Sequence, residues 1–130
     1  LLNAEKKERA MKGTGVLIVE DDWLIGEMIA DRIERLGHEA IGPAPSVAEA
    51  LELLRRGLPR LALLDVNLGS ETSFPIADAL AREQVPFGFV TSYEQDQLPE
   101  RFADRPFLRK PFDPRHLDEE VHMLADAAHA

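Results

Sequence analysis

The chain has 130 residues, of which 45% are hydrophobic and 30% charged, with a net charge of -9 and no cysteine. This is enough for one domain with its own core. It excludes disulfide and thiol chemistry, and the acidity, uninterrupted by any basic stripe, speaks against a nucleic-acid partner. No apolar run approaches the ~20 residues that cross a membrane, and no signal peptide is visible, so a cytoplasmic protein is expected.

Residues 1–14 differ from the rest. Leu1-Leu2 precedes a charged run, Glu5-Lys6-Lys7-Glu8-Arg9, and then Met11, Gly13 and Gly15 follow. They are expected to be an N-terminal extension or linker, with the domain proper over 15–130. The first residue is not Met, which fits a chain processed or cut from a longer one. Val16-Leu17-Ile18-Val19 is short, apolar and β-branched, as in a strand buried on both faces. It ends in Glu20-Asp21-Asp22. Three adjacent acids repel, by about 4 kcal/mol per pair at ~4 Å and an effective dielectric of 20, and a divalent cation would reverse the sign. A helix is predicted over 23–36, with Ile25, Ile29, Ile33 and Leu36 as its stripe and Gly37 as its stop. Leu24 and Met28 lie off that stripe. They read first as the rim of the core and second as an exposed docking face beside the acids.

Residues 38–41 form a weaker strand, and Gly42-Pro43-Ala44-Pro45 a loop. Ser46 and Glu49 have capping-box spacing, opening a helix with Val47, Ala50, Leu51 and Leu54 inward, which closes at Gly57. Leu61-Ala62-Leu63-Leu64-Asp65 is the most informative stretch, since four apolar residues run into one acid. Asp65 alone suits a turn as well as a site. Residues 67–73 form a polar loop. A helix follows over 75–83, with Ile76, Ala79 and Leu80 facing the sheet and Pro75 near its first turn. Phe87-Gly88-Phe89-Val90 is a fourth strand leading into Thr91-Ser92-Tyr93. Residues 94–104 are polar and contain Pro99, so a fourth helix there is short or poorly formed. A fifth strand lies within 105–110. Asp113 caps a last helix with Pro114 at its first position and Leu117, Val121, Leu124 and Ala128 inward.

Five β-α repeats with right-handed crossovers predict an α/β fold, a doubly wound five-stranded parallel sheet. Ligands of such sheets bind at the carboxyl ends of the strands. Glu20, Asp21, Asp65, Thr91 and Lys110 converge there, which turn chemistry alone does not predict. Asp21, Asp65 and the carbonyl of Asn67 suit Mg2+, which keeps several waters, with Glu20 holding one of them. Asp65 is then a nucleophile able to form an aspartyl phosphate. Lys110 supplies a point charge and Thr91 a hydroxyl for the phosphoryl oxygens, in chemistry that is mostly position and charge.

Val-Leu-Ile-Val-Glu-Asp-Asp, Leu-Leu-Asp-Val-Asn-Leu-Gly, Phe-Val-Thr-Ser-Tyr and Leu-Arg-Lys-Pro-Phe, in this order, resemble the signatures of response-regulator receiver domains of two-component signalling. The resemblance covers Val16 to about Ala128. It implies a flavodoxin-like sheet of order 2-1-3-4-5, with Glu20 and Asp21 as the acidic metal pair and Asp65 as phosphoacceptor. Asn67 would lend its carbonyl, Thr91 would be the switch hydroxyl and Lys110 the lysine of the site. Asp22 takes a third acidic place that the family does not require. Phe107 falls at the switch aromatic, with Tyr93 a second candidate to follow Thr91, and Lys110-Pro111 is expected cis. More narrowly, the chain is similar to a bacterial subgroup reading Phe-Ala-Thr-Gly-Tyr at the switch, often paired with histidine kinases of the HWE and related classes. Val90 and Ser92 replace its Ala and Gly, and Ser92 is expected to restrict the loop. The implied partner is a histidine kinase or a histidine phosphotransfer protein, docking on Leu24, Met28, Pro111 and Phe112. Such a domain is no enzyme beyond its own phosphorylation and dephosphorylation. Its output would run through protein contacts, a phosphorelay or the draining of phosphoryl groups from a kinase. The alternatives are the terminal receiver of a hybrid histidine kinase and a pseudo-receiver that binds without taking phosphate. Haloacid-dehalogenase-like phosphohydrolases need an acid two residues after the nucleophile, where this chain has Asn67. The four histidines, His38, His116, His122 and His129, are scattered and read as surface residues.

Overall fold

The computed structural model describes residues 15–129, so the expectation for residues 1–14 lies outside the described residues. Strands and helices alternate as β1 (Gly15–Val19), α1 (Trp23–Arg35), β2 (Glu39–Ala44), α2 (Val47–Arg56), β3 (Leu61–Leu64), α3 (Phe74–Arg82), β4 (Phe87–Thr91), β5 (Phe107–Arg109) and α4 (Pro114–His129). The strands form one parallel sheet in the order β2-β1-β3-β4-β5. This is the predicted doubly wound arrangement.

The continuous apolar runs follow from cover on both faces. Leu17, Val19, Ala62, Leu64, Phe87 and Phe89 point to α2 and α3, where Ala50, Ile76, Ala77 and Leu80 meet them. Val16, Ile18, Leu61, Leu63 and Val90 point the other way, onto Ile29 and Ile33 of α1 and Leu117, Val121 and Leu124 of α4. The period-two alternation within each strand therefore separates two cores, not a core from solvent. Helix α3 buries Ala77 rather than the expected Ala79, which is only half-buried.

Local signals place most element ends. Asp22 caps α1 by accepting from the Ile25 N–H, and Gly37 follows at φ 90°, a left-handed position that glycine fills without strain. Ser46 caps α2 through the Glu49 N–H at 3.2 Å, and the Glu71 carboxylate, from the loop after β3, accepts from the Val47 N–H at 3.0 Å. Gly42-Pro43-Ala44, expected as loop, belongs to β2. The strand carries a register shift against β1 between Leu17 and Val19, and β2 is an edge strand, where proline is tolerated. In place of a fourth helix between β4 and β5 there are two 3-10 turns, Gln95–Gln97 and Glu100–Phe102. They are anchored rather than loose, since Leu98 and Phe102 are buried, and the Phe102 ring packs 5.8–5.9 Å from those of Phe74, Phe87 and Phe89.

Candidate functional site

Strand pairing brings the site residues together. Val19 pairs with Leu64, and the Asp65 N–H donates to the Val19 carbonyl at 2.9 Å. Glu20 and Asp65 therefore leave the sheet side by side. On the other flank Thr91 pairs with Arg109, and the Lys110 N–H donates to the Thr91 carbonyl at 2.8 Å, which sets Lys110 one step past the edge. Lys110-Pro111 is cis, as expected.

Ligand oxygens of Glu20, Asp21 and Asp65 all lie within 4.8 Å of one another. Glu20 and Asp65 are buried, while Asp21 faces solvent. Lys110 reaches into this group. Its Nζ donates to Glu20 Oε1 at 2.5 Å and to Asp65 Oδ2 at 3.0 Å. Burial pushes the Glu20 carboxyl up to about 7, and the Lys110 hydrogen bond and the Asp22 N–H, which donates to Oε2 at 3.1 Å, hold it from going further. Burial would lower Lys110, but its bonds to the Glu20 and Asp65 carboxylates outweigh that and raise it, so it stays charged. One ammonium serves two buried acids, with a third acid at the mouth. Hard oxygen donors in this number fit a divalent cation that retains waters.

Asn67 is exposed in the loop after Asp65, bridged to Thr72. Thr91 is fully buried, and its Oγ1 accepts from the Tyr93 N–H at 3.3 Å. Tyr93 and Phe107 are half-buried against the α2/α3 core. Ser92 is not strained, because among the described residues Gln84 is the only non-glycine with positive φ.

The rim reading of Leu24 and Met28 is overturned. They are 71% and 47% exposed, and Trp23, which the sequence reading passed over, is 74% exposed. All three lie in the first half of α1, the helix that follows the acids. The signal was available, since position 23 lies off the Ile25, Ile29, Ile33 stripe. Pro111 is exposed, whereas Phe112 packs on the α1/α4 core and offers only part of its ring.

The family model for the response regulator receiver domain matches residues 16–122. "Phyllosphere-induced regulator PhyR" of Methylorubrum extorquens is 34% identical over 127 residues, covering 91% of this chain and 46% of the relative. The solution structure of SdrG from Sphingomonas melonis Fr1 is 41% identical with a TM-score of 0.73, covering 90% of this chain and 97% of that one. The BeF3-activated conformation of SdrG from Pseudomonas melonis Fr1 is likewise 41% identical with a TM-score of 0.73, covering 85% of this chain and 95% of that one. The chain spans about half the length of the curated relatives it matches.

Proposed function

We propose, from the premise that this chain belongs to the response regulator receiver domain family, that Asp65 accepts a phosphoryl group from a histidine kinase or a histidine phosphotransfer protein and that the domain signals through protein contacts. The observation that carries this reading is Lys110 held between Asp65 and Glu20 at the carboxyl edge of the sheet, within a cluster of three carboxylates.

In this reading an Asp65 oxygen attacks the phosphorus of the donor phosphohistidine. The O–P bond forms as the N–P bond breaks, and the imidazole leaves with the electron pair. Glu20, Asp21, Asp65 and the Asn67 carbonyl would hold Mg2+, whose charge offsets that of the transferring phosphoryl oxygens. Lys110 leaves Glu20 for a phosphoryl oxygen while staying beside Asp65. Thr91 turns its hydroxyl toward another, which costs the bond it now accepts from Tyr93. That exchange gives Tyr93, which packs on the same core as Phe107, a reason to move, and a two-state shift reads out the added charge. BeF3-, tetrahedral on a carboxylate, has the shape of a phosphoryl group, and SdrG has a BeF3-activated conformation. An HWE-class kinase, a cytoplasmic setting, and docking on Trp23, Leu24, Met28 and Pro111 go with the same reading.

The test is intact-mass spectrometry after incubation with acetyl phosphate. One phosphoryl adduct is expected in the presence of Mg2+, with none after chelation and none in Asp65→Asn. An adduct that survives in Asp65→Asn would overturn the assignment of the acceptor. No adduct in the wild type, together with no response of residues 90–110 to BeF3-, would make the domain a pseudo-receiver.

A further inference from the structure

Helix α4 lays Leu117, Val121, Leu124 and Ala125 on the sheet, and one acid lies inside that stripe. Glu120 is 5% exposed, and its Oε2 is buried without a hydrogen-bond partner. The carboxyl rests against β4 at Gly88. A Cβ built on Gly88 would stand 2.9 Å from Glu120 Oε2 and 3.1 Å from both the Cβ and the carbonyl oxygen of Pro106. Glycine thus opens the hole that the carboxyl fills. The hole sits three residues before Thr91 on β4 and is walled by the residue before Phe107 on the approach to β5.

On α4 itself Arg115, His116, Glu119, His122 and Asp126 face solvent, and Asp118 turns to α1, where Arg32 binds it at 2.6 and 2.7 Å. Strand β4 presents Phe87, Gly88 and Phe89, and β5 presents Phe107 and Leu108, none of them charged, while its Arg109 is exposed and paired with Glu94 at 2.6 Å. On the approach to β5, Asp104 is exposed and Arg105 holds its guanidinium 4.1 Å over the Phe87 ring. Burial alone governs the Glu120 carboxyl and pushes it up to about 8.

We propose that Glu120 is a proton-operated latch between α4 and the β4–β5 pair. Neutral, it packs into the Gly88 hole and holds α4 down. When its proton passes to solvent, the bare carboxylate favours a loosened α4 in which water, or Arg105 released from Phe87, can reach it. The device works without the phosphoryl group, and it sits under the two strands that carry Thr91 and Phe107.

The sign follows from linkage. A carboxyl that holds its proton to about pH 8 when packed and to 4.5 when exposed binds more protons in the closed form. The closed form is therefore favoured at low pH and loses ground as pH rises from 4.5 to 8. The experiment follows the Glu120 side-chain carboxyl carbon by NMR, and α4 amide exchange corrected for intrinsic rates, between pH 5 and 10. The expected midpoint is near 8. Protection along α4 should fall about tenfold per pH unit up to that point and level off above it. Glu120→Gln should flatten the protection profile, and Glu120→Met provides the same control should the amide variant fold poorly. Asp65→Asn should keep the wild-type profile, which separates this device from the phosphoacceptor reading. A Glu120 midpoint below about 6, a flat wild-type profile, or a slope that survives in both Glu120 variants would overturn the latch.

Discussion

Phe102→Ala tests whether the two 3-10 turns between β4 and β5 belong to the packed domain. Phe102 is 1% exposed, and its ring meets three others at 5.8–5.9 Å, with the Arg101 guanidinium 4.5 Å from its centroid. Truncating a buried phenylalanine to alanine costs about 3–5 kcal/mol in transfer and cavity terms. The residue ends a short turn that can settle partly into the space, so the lower figure, about 3 kcal/mol, is expected. In a domain of this length that is a fall of about 10–15 °C in Tm. Urea unfolding followed by far-UV circular dichroism gives the free energy directly, and Phe102→Leu should lose only about 1 kcal/mol. Amides of residues 95–105 should exchange faster in the alanine variant, while those of β1 and β3 keep their protection relative to global unfolding. A loss under about 1 kcal/mol would refute the reasoning, because the four-ring cluster would then contribute little more than a surface contact.

Two further outcomes follow from the site. Glu20 takes a proton near pH 7, and protons compete with the cation for it, so Mg2+ affinity measured by calorimetry should rise about tenfold per pH unit up to 7 and then flatten. Glu20→Gln should lose that slope, and a wild-type profile already flat at pH 5.5 would remove Glu20 from the set. Leu24→Glu and Met28→Lys, both at exposed positions, should slow phosphotransfer from the cognate kinase about tenfold or more while acetyl phosphate still modifies Asp65 at the wild-type rate. Equal kinase rates would move the docking surface elsewhere.

Much of this was legible because apolar runs and polar stops carry position. Four residues before Asp65 and four before Glu20 are enough to mark buried parallel strands, and topology then aligns their ends. What one chain reading could not weigh was tertiary cover. Leu24 and Met28 looked like core rim from composition, yet α1 turns them outward because Ile25, Ile29 and Ile33 take the sheet. Gly42-Pro43 reads as loop by local chemistry, but as part of an edge strand it satisfies β1 on one side only. Phe102 sits in a polar stretch whose only large apolar residues are Leu98 and Phe102 itself, too few for periodicity to register. Glu120 was discoverable in principle, since an acid three residues after Leu117 and four before Leu124 falls within the apolar stripe. Nothing local says that Gly88 would make room for it.

The two borders of the sheet are β2 and β5. A parallel sheet with bare outer strands invites a stranger's backbone, and here both borders are poor templates. On one side Pro43 offers no N–H, and the register shift breaks the regular ladder. On the other, β5 is three residues long, with Arg109 tied across to Glu94 at 2.6 Å. A second chain would find few consecutive donors to join. Strand addition at β2 or β5 is therefore disfavoured, which leaves helix faces and loop tips as the better surfaces for contact.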